Sequence, residues 1–152
     1  MSPAERLAVH DTLARYAFAL DRHDPAALEA VLTADATWTF HLPGRPVLGP
    51  VAGREAVLEF VRTAWAAETG QRRHHPTNVV VHGADGETAS ATAYLLLTSD
   101  AAVLTTGVLT FRLARTGGEW RIAELVLAAD DASGTPAGSA LLSTPWSVRH
   151  RR

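Results

Sequence analysis

Apolar residues in this chain recur at helical spacing near its start and at strand spacing from Arg73 onward, with a mixed stretch between. Leu13, Tyr16, Ala17 and Leu20 share one face at intervals of three and four, which predicts a helix from Pro3 to Arg22. Ser2 with Glu5 makes a capping box and Pro3 suits the first helical position, so this helix has a defined start. Asp24-Pro25 repeats the cap-then-proline signal and predicts a short second helix through about Leu32. From Ala36 to Leu42, the apolar Trp38, Phe40 and Leu42 alternate with Thr37, Thr39 and His41, the pattern of a strand with one greasy face. Pro43 to Val51 is rich in proline and glycine and reads as a loop. Gly53 to Ala67 reads as a third helix that turns Val57, Phe60, Val61, Ala64 and Trp65 inward.

Four β runs follow, near 73–82, 87–99, 102–115 and 119–130, separated by short glycine-, serine- or aspartate-bearing turns. Hairpin connections of that length imply an antiparallel sheet. Helices first and strands later is the order of an α+β domain whose sheet curls around the helices. Val126 to Ala129 is apolar on both faces, which predicts that another subunit covers the outer sheet surface. The expected organisation is one domain over 1–131, with 132–152 as a tail or a flap over a pocket.

Composition narrows the chemistry. A chain of 152 residues buries a core without disulfides or metals. It has no cysteine, and its 14 basic residues are all arginine. Thiolate nucleophiles, thiolate metal sites, Schiff-base lysines and a P-loop lysine are thereby excluded. His, Asp, Glu, Tyr, Ser and Thr remain. A net charge of −2 gives no footprint for nucleic acid, and the clusters Arg72-Arg73-His74-His75 and Arg149-His150-Arg151-Arg152 read as solvated charge. No apolar run is long enough to cross a bilayer, and the start lacks a secretory pattern, so a cytoplasmic location is expected. No dinucleotide fingerprint, nucleophile elbow or EF-hand loop is present, which favours chemistry without a cofactor or a metal.

One polar trio is placed where plain structure gives little reason for it. Asp21 falls in the last turn of the first helix, where the dipole favours a cation and a carboxylate costs a few tenths to about 1 kcal/mol. A histidine able to become imidazolium is a natural compensator, and His74 leads the first of the four β runs. Tyr16 lies on the buried helix face and its hydroxyl needs a partner. Residues two apart on a strand share a face, so His74, Asn78 and His82 are expected on one side and His75 on the other. Adjacent histidines do not chelate one metal together, and a site of Asp21 and His74 with His82 or His41 has no zinc-type spacing. Glu124, on the face of Trp120, Ile122 and Val126, is a second candidate buried carboxylate, with Arg112 or Arg121 as its alternative partner.

Arg15-Tyr16-Ala17, Ala19-Leu20-Asp21, Asp24, Ala27-Leu28, Thr33-Ala34-Asp35-Ala36, Gly53-Arg54-Glu55-Ala56, His74 four residues before Asn78, and Trp120-Arg121-Ile122 stand in a distinctive order. Together they resemble the SnoaL-like, scytalone dehydratase-like branch of the nuclear transport factor 2-like superfamily, over about residues 5–130. The resemblance implies a cone-shaped α+β barrel, a curved antiparallel sheet wrapped around N-terminal helices over a deep apolar pocket. Tyr16, Asp21 and His74 are similar to the Tyr, Asp and His of scytalone dehydratase and bile-acid dehydratases, which eliminate water beside a carbonyl without a cofactor. The second pocket histidine of scytalone dehydratase has no counterpart between His82 and His150. Ketosteroid isomerase relatives carry a carboxylate where this chain has Phe40 and an acid near Gly107.

The resemblance therefore implies a cofactor-independent lyase or cyclase, preferentially a dehydratase, acting on a small hydrophobic carbonyl compound of polyketide or steroid type. His74 is the expected acid and base, Asp21 its orienter and Tyr16 the enolate donor. Asn78 is the expected second polar contact, and Trp38, Phe40, Phe60, Trp65 and Leu97 the apolar wall. Competing readings are a noncatalytic ligand-binding or assembly protein, including a dioxygenase small-subunit-like role, and an isomerase of the same fold. The expected assembly is a homodimer, with a trimer as the scytalone dehydratase alternative.

Overall fold

The computed structural model describes residues 1–83 and 85–131. The expected tail or flap over 132–152 lies outside them. Helix α1 (Pro3–Asp21) starts on the capping box, with Ser2 Oγ accepting from the Glu5 N–H and Glu5 Oε2 from the Ser2 N–H. It ends where His23 turns into the left-handed region, at φ 51°. Helix α2 (Pro25–Ala30) is capped by Asp24, whose Oδ1 accepts from the Ala27 N–H. Strand β1 spans Leu32–His41, β2 Leu48–Ala52, and helix α3 Arg54–Ala67. Strands β3 (Arg72–His82), β4 (Thr88–Ser99), β5 (Ala102–Thr116) and β6 (Glu119–Ala129) complete the chain.

The six strands form one curved, unclosed sheet in the order β2-β1-β6-β5-β4-β3. All neighbours are antiparallel except β1 and β6, which run parallel, Trp38 pairing with Leu125 and His41 with Ala128. The sheet is thus mixed where hairpins alone predicted antiparallel pairing, because the chain returns to β1 only after the whole hairpin series. A second difference is β2, inside the stretch read as a loop. Its proline and glycine content hid it: the strand is short, and Gly49 sits at φ 98° where a Cβ would meet the Trp38 carbonyl oxygen at 2.6 Å.

The core lies between α1, α3 and the inner sheet face, where Leu13, Val57, Leu109, Phe111, Leu113 and Leu125 are fully buried. Burying each such side chain contributes about 1.5–3 kcal/mol. Two tethers fix α1 across β3. At its start Arg6 Nη1 donates to the Val81 carbonyl at 2.7 Å; at its end the His74 N–H donates to Asp21 Oδ1 at 2.9 Å. Fifteen helical residues span about 22 Å and seven strand residues about 23 Å. The matched lengths bring Asp21 to His74. Among the described residues no helix is long and apolar enough to cross a membrane.

Candidate active site

Asp21 and His74 meet although more than fifty residues separate them in sequence. His74 Nδ1 lies 2.7 Å from Asp21 Oδ1, and the His74 backbone N–H donates to both carboxylate oxygens, at 2.9 and 3.2 Å. Gln71 Nε2 donates to the Asp21 carbonyl at 3.0 Å, so a helix end that lacks a basic residue is closed by polar hydrogens from the β3 side. The carboxylate is buried and accepts from Nδ1–H, so it is Nε2 that carries the lone pair whenever the ring is neutral. Nε2 has no hydrogen bond among the described residues, and His74 lines an internal cavity.

That cavity, of about 100 Å³, lies between α1, α3 and the concave sheet face. Trp38, Phe40, Phe60, Trp65 and Leu97, the expected apolar wall, all line it, together with Tyr16 and His74. Phe40 stacks on Phe60 at 5.5 Å between centroids, while Tyr16 meets Trp38 and Phe111 edge-on at 6.0 and 5.7 Å. Edge-to-face packing fixes the phenol ring. Its hydroxyl makes no hydrogen bond among the described residues. Burial first, and the Asp21 charge second, push the Tyr16 phenol well above its ordinary range, so it remains a donor. The structure thus brings Tyr16, Asp21 and His74 to one place, with Asp21 behind His74 rather than on the cavity wall.

Asn78 is not brought there. Register shifts between Thr77 and Val80, and Asn78 sits exposed at φ 55°, outside the cavity lining. One extra residue reverses the alternation, so Val81 points inward and His82 outward, where His82 Nε2 lies 2.9 Å from Thr92 Oγ1. His41 is also exposed, so neither histidine joins Asp21 and His74. His75 pairs with Thr98 Oγ1 at 3.3 Å, off the cavity as expected. Glu124 is corrected by a second bulge: Leu113 pairs with Ile122 but Arg112 with Glu124, which leaves Ala123 as the extra residue. Glu124 consequently faces out, 4.0 Å from Arg112.

Three charged wall residues, Arg72, Glu68 and Asp131, escaped the sequence reading. Arg72, read as part of a solvated basic cluster, is buried on the cavity wall, and Glu68 lines it as well. The available signal was period two, which puts Arg72 on the His74 face. Among the described residues no group of three or more His, Cys, Asp or Glu side chains is clustered so as to hold a metal ion.

Comparison with known proteins places these features in context. The family model for the SnoaL-like domain matches residues 2–126. Among solved structures, the chain is similar to a variant of Rv3472, a Mycobacterium tuberculosis protein of unknown function, with a TM-score of 0.77 and 24% identity over 97% of each chain. A Novosphingobium aromaticivorans protein provisionally named an aromatic ring hydroxylase is 31% identical over 86% of this chain and 92% of its own, with a TM-score of 0.70. Aln2 from a Streptomyces species is 28% identical over 86% of this chain and 94% of its own, with a TM-score of 0.71. No curated protein matches the chain.

Proposed function

The chain belongs to the SnoaL-like domain family, and we propose that within it this protein is a cofactor-independent lyase that dehydrates a small apolar β-hydroxy carbonyl compound. The observation that carries the reading is the 2.7 Å contact between Asp21 Oδ1 and His74 Nδ1, with Nε2 of the same ring unpaired and both His74 and Tyr16 lining an apolar cavity. Nε2 removes the proton α to the carbonyl. The electron pair moves onto the carbonyl oxygen, where Tyr16 donates a hydrogen bond to the growing charge. Asp21 offsets the positive charge gained by the imidazole. The enolate then collapses, the β carbon–oxygen bond breaks, and His74 returns its proton to the departing hydroxyl, which leaves as water. The product is the conjugated carbonyl compound, and the enzyme is back in its starting state.

The isomerase reading lacks its acids. Phe40 is an apolar wall residue, and a Cβ at Gly107 would meet the Ala128 carbonyl oxygen at 2.6 Å, so no side chain fits there without displacing β6. A noncatalytic binding role needs the cavity but gives no reason to bury a carboxylate against a histidine. The test is a panel of cyclic and aromatic β-hydroxy ketones, followed by the ultraviolet absorption of the conjugated product. His74→Ala should reduce the rate about 10²–10⁴-fold. Equal rates for His74→Ala and wild type on a substrate that turns over would overturn the proposal.

A further inference from the structure

Outside the proton-transfer trio, the cavity wall holds a cation that the surrounding groups do not match. Arg72 stands two residues before His74 on β3, so both side chains leave the same face, and their Cα atoms lie about 7 Å apart at ordinary strand rise. The Arg72 side chain retains 7% of its exposure. Its nearest carboxylate is Glu68, at 3.9 Å from Nη1 to Oε1, too long for a hydrogen bond. Nε has no partner, and the guanidinium donates no hydrogen bond to any described residue.

Glu68 is engaged elsewhere. Its Oε2 lies 2.7 Å from His23 Nε2, and the His23 ring stacks on Trp65 at 5.0 Å. Asp131, the other acid on the wall, has an interaction of its own. A guanidinium stays charged at any pH the protein meets. With Nε buried and unpartnered and its one carboxylate held off at 3.9 Å, the guanidinium is only partly compensated, and an anion that joined it would complete its hydrogen bonds. A salt bridge built for stability would show short forked contacts, and Arg72 shows none.

We propose that Arg72 docks a carboxylate of the substrate. The ligand is then an apolar carbonyl compound that also bears a carboxylate, held from the same β3 face as the carbon that His74 deprotonates. A carboxylate matches the guanidinium fork with two parallel hydrogen bonds, and the apolar wall around it strengthens each. Only the position of the carboxylate relative to the reacting carbon rests on His74 being the base. The preference for an anion does not.

The test is calorimetric titration of the full chain with benzoate and 2-naphthoate against the neutral benzamide and 2-naphthamide. The acids should bind at least about tenfold tighter, equivalent to about 1.4 kcal/mol. Arg72→Gln should bring acid and amide to parity while leaving amide affinity unchanged, and that unchanged affinity reports an intact cavity. Glu68→Gln removes the competing charge and should widen the acid's advantage, and the widening should vanish when Arg72→Gln is added to it. Where Arg72→Gln loses amide binding through misfolding, Glu68→Gln decides alone, and no gain in acid affinity overturns the proposal. Acids that bind no tighter than amides, or not at all, overturn it too, as does a preference that survives Arg72→Gln. An acid preference in a wild-type protein that dehydrates none of the β-hydroxy ketones upholds the anion site and refutes the lyase reading separately.

Discussion

Asp21 gives the imidazole of His74 its direction: Oδ1 takes both the backbone N–H and Nδ1 of the same residue, so ring and strand are held by one atom. Asparagine in its place turns an N–H toward the second oxygen's contact with the His74 backbone N–H and removes the charge that strengthens both Oδ1 contacts and offsets the imidazolium. Asp21→Asn should lose about 10²–10⁴-fold in turnover and melt at a lower temperature than wild type, since two accepted hydrogen bonds outweigh the dipole conflict. Kinetics and melting on the same variant check this; a more stable and fully active protein would sink the dyad. Tyr16→Phe should behave oppositely on stability. Its hydroxyl has no partner to lose, so the melting temperature should hold or rise while turnover falls about 10²-fold. An unchanged rate would remove Tyr16 from the chemistry. Asp21 was legible because a carboxylate at a helix C-terminus demands an explanation, and His74 because it opens a strand. Arg72 was not, because a run of four basic residues resembles solvated charge and the alternation that buries every second one acts only once the strand packs.

Among the elements, α1 is the ruler of the site, and its start is as constrained as its end. Glu5 accepts from the Ser2 N–H and from Arg115 Nη2, both at 2.7 Å. These bonds, the backbone one foremost, hold its carboxyl at about 2 against an ordinary 4.5. A depressed folded-state pKa means the unfolded chain takes up the proton first, so this stabilisation is complete above 4.5 and disappears as pH falls through about 2. The melting-temperature gap between wild type and Glu5→Gln should therefore narrow steadily across that window. A gap that does not change with pH would refute this role for Glu5. Helices and strands were readable from their periods to within a few residues, apart from β2. Bulges were not. One extra residue in β3 and another in β6 reversed the faces of Asn78, His82 and Glu124, and a bulge is set by how two strands pair, which neither strand's own sequence records.

For the whole molecule, the outer sheet face keeps an apolar surface around Tyr94, which pairs with Val108 and is 57% exposed; Val80 nearby is 55% exposed. The expected assembly is a homodimer through this face. Light scattering at micromolar concentration should report twice the chain mass, and Tyr94→Glu should return the monomer with its melting cooperativity intact. A wild-type monomer would refute the assembly. The parallel pairing of β1 with β6 has a consequence for biosynthesis. Trp38 and Phe40 have no strand partner on the β6 side until Leu125 and Leu127 have been made. On the ribosome, β1 and β2 wait as a two-stranded ribbon covered by Tyr16 and Phe60, while β3, β4 and β5 assemble as a meander tied to α1. The last strand to emerge fuses the two halves and closes the wall of the cavity in one event. A chain cut short before Glu119 would be two sticky fragments on one thread, material for a chaperone or a protease and not a weakened enzyme.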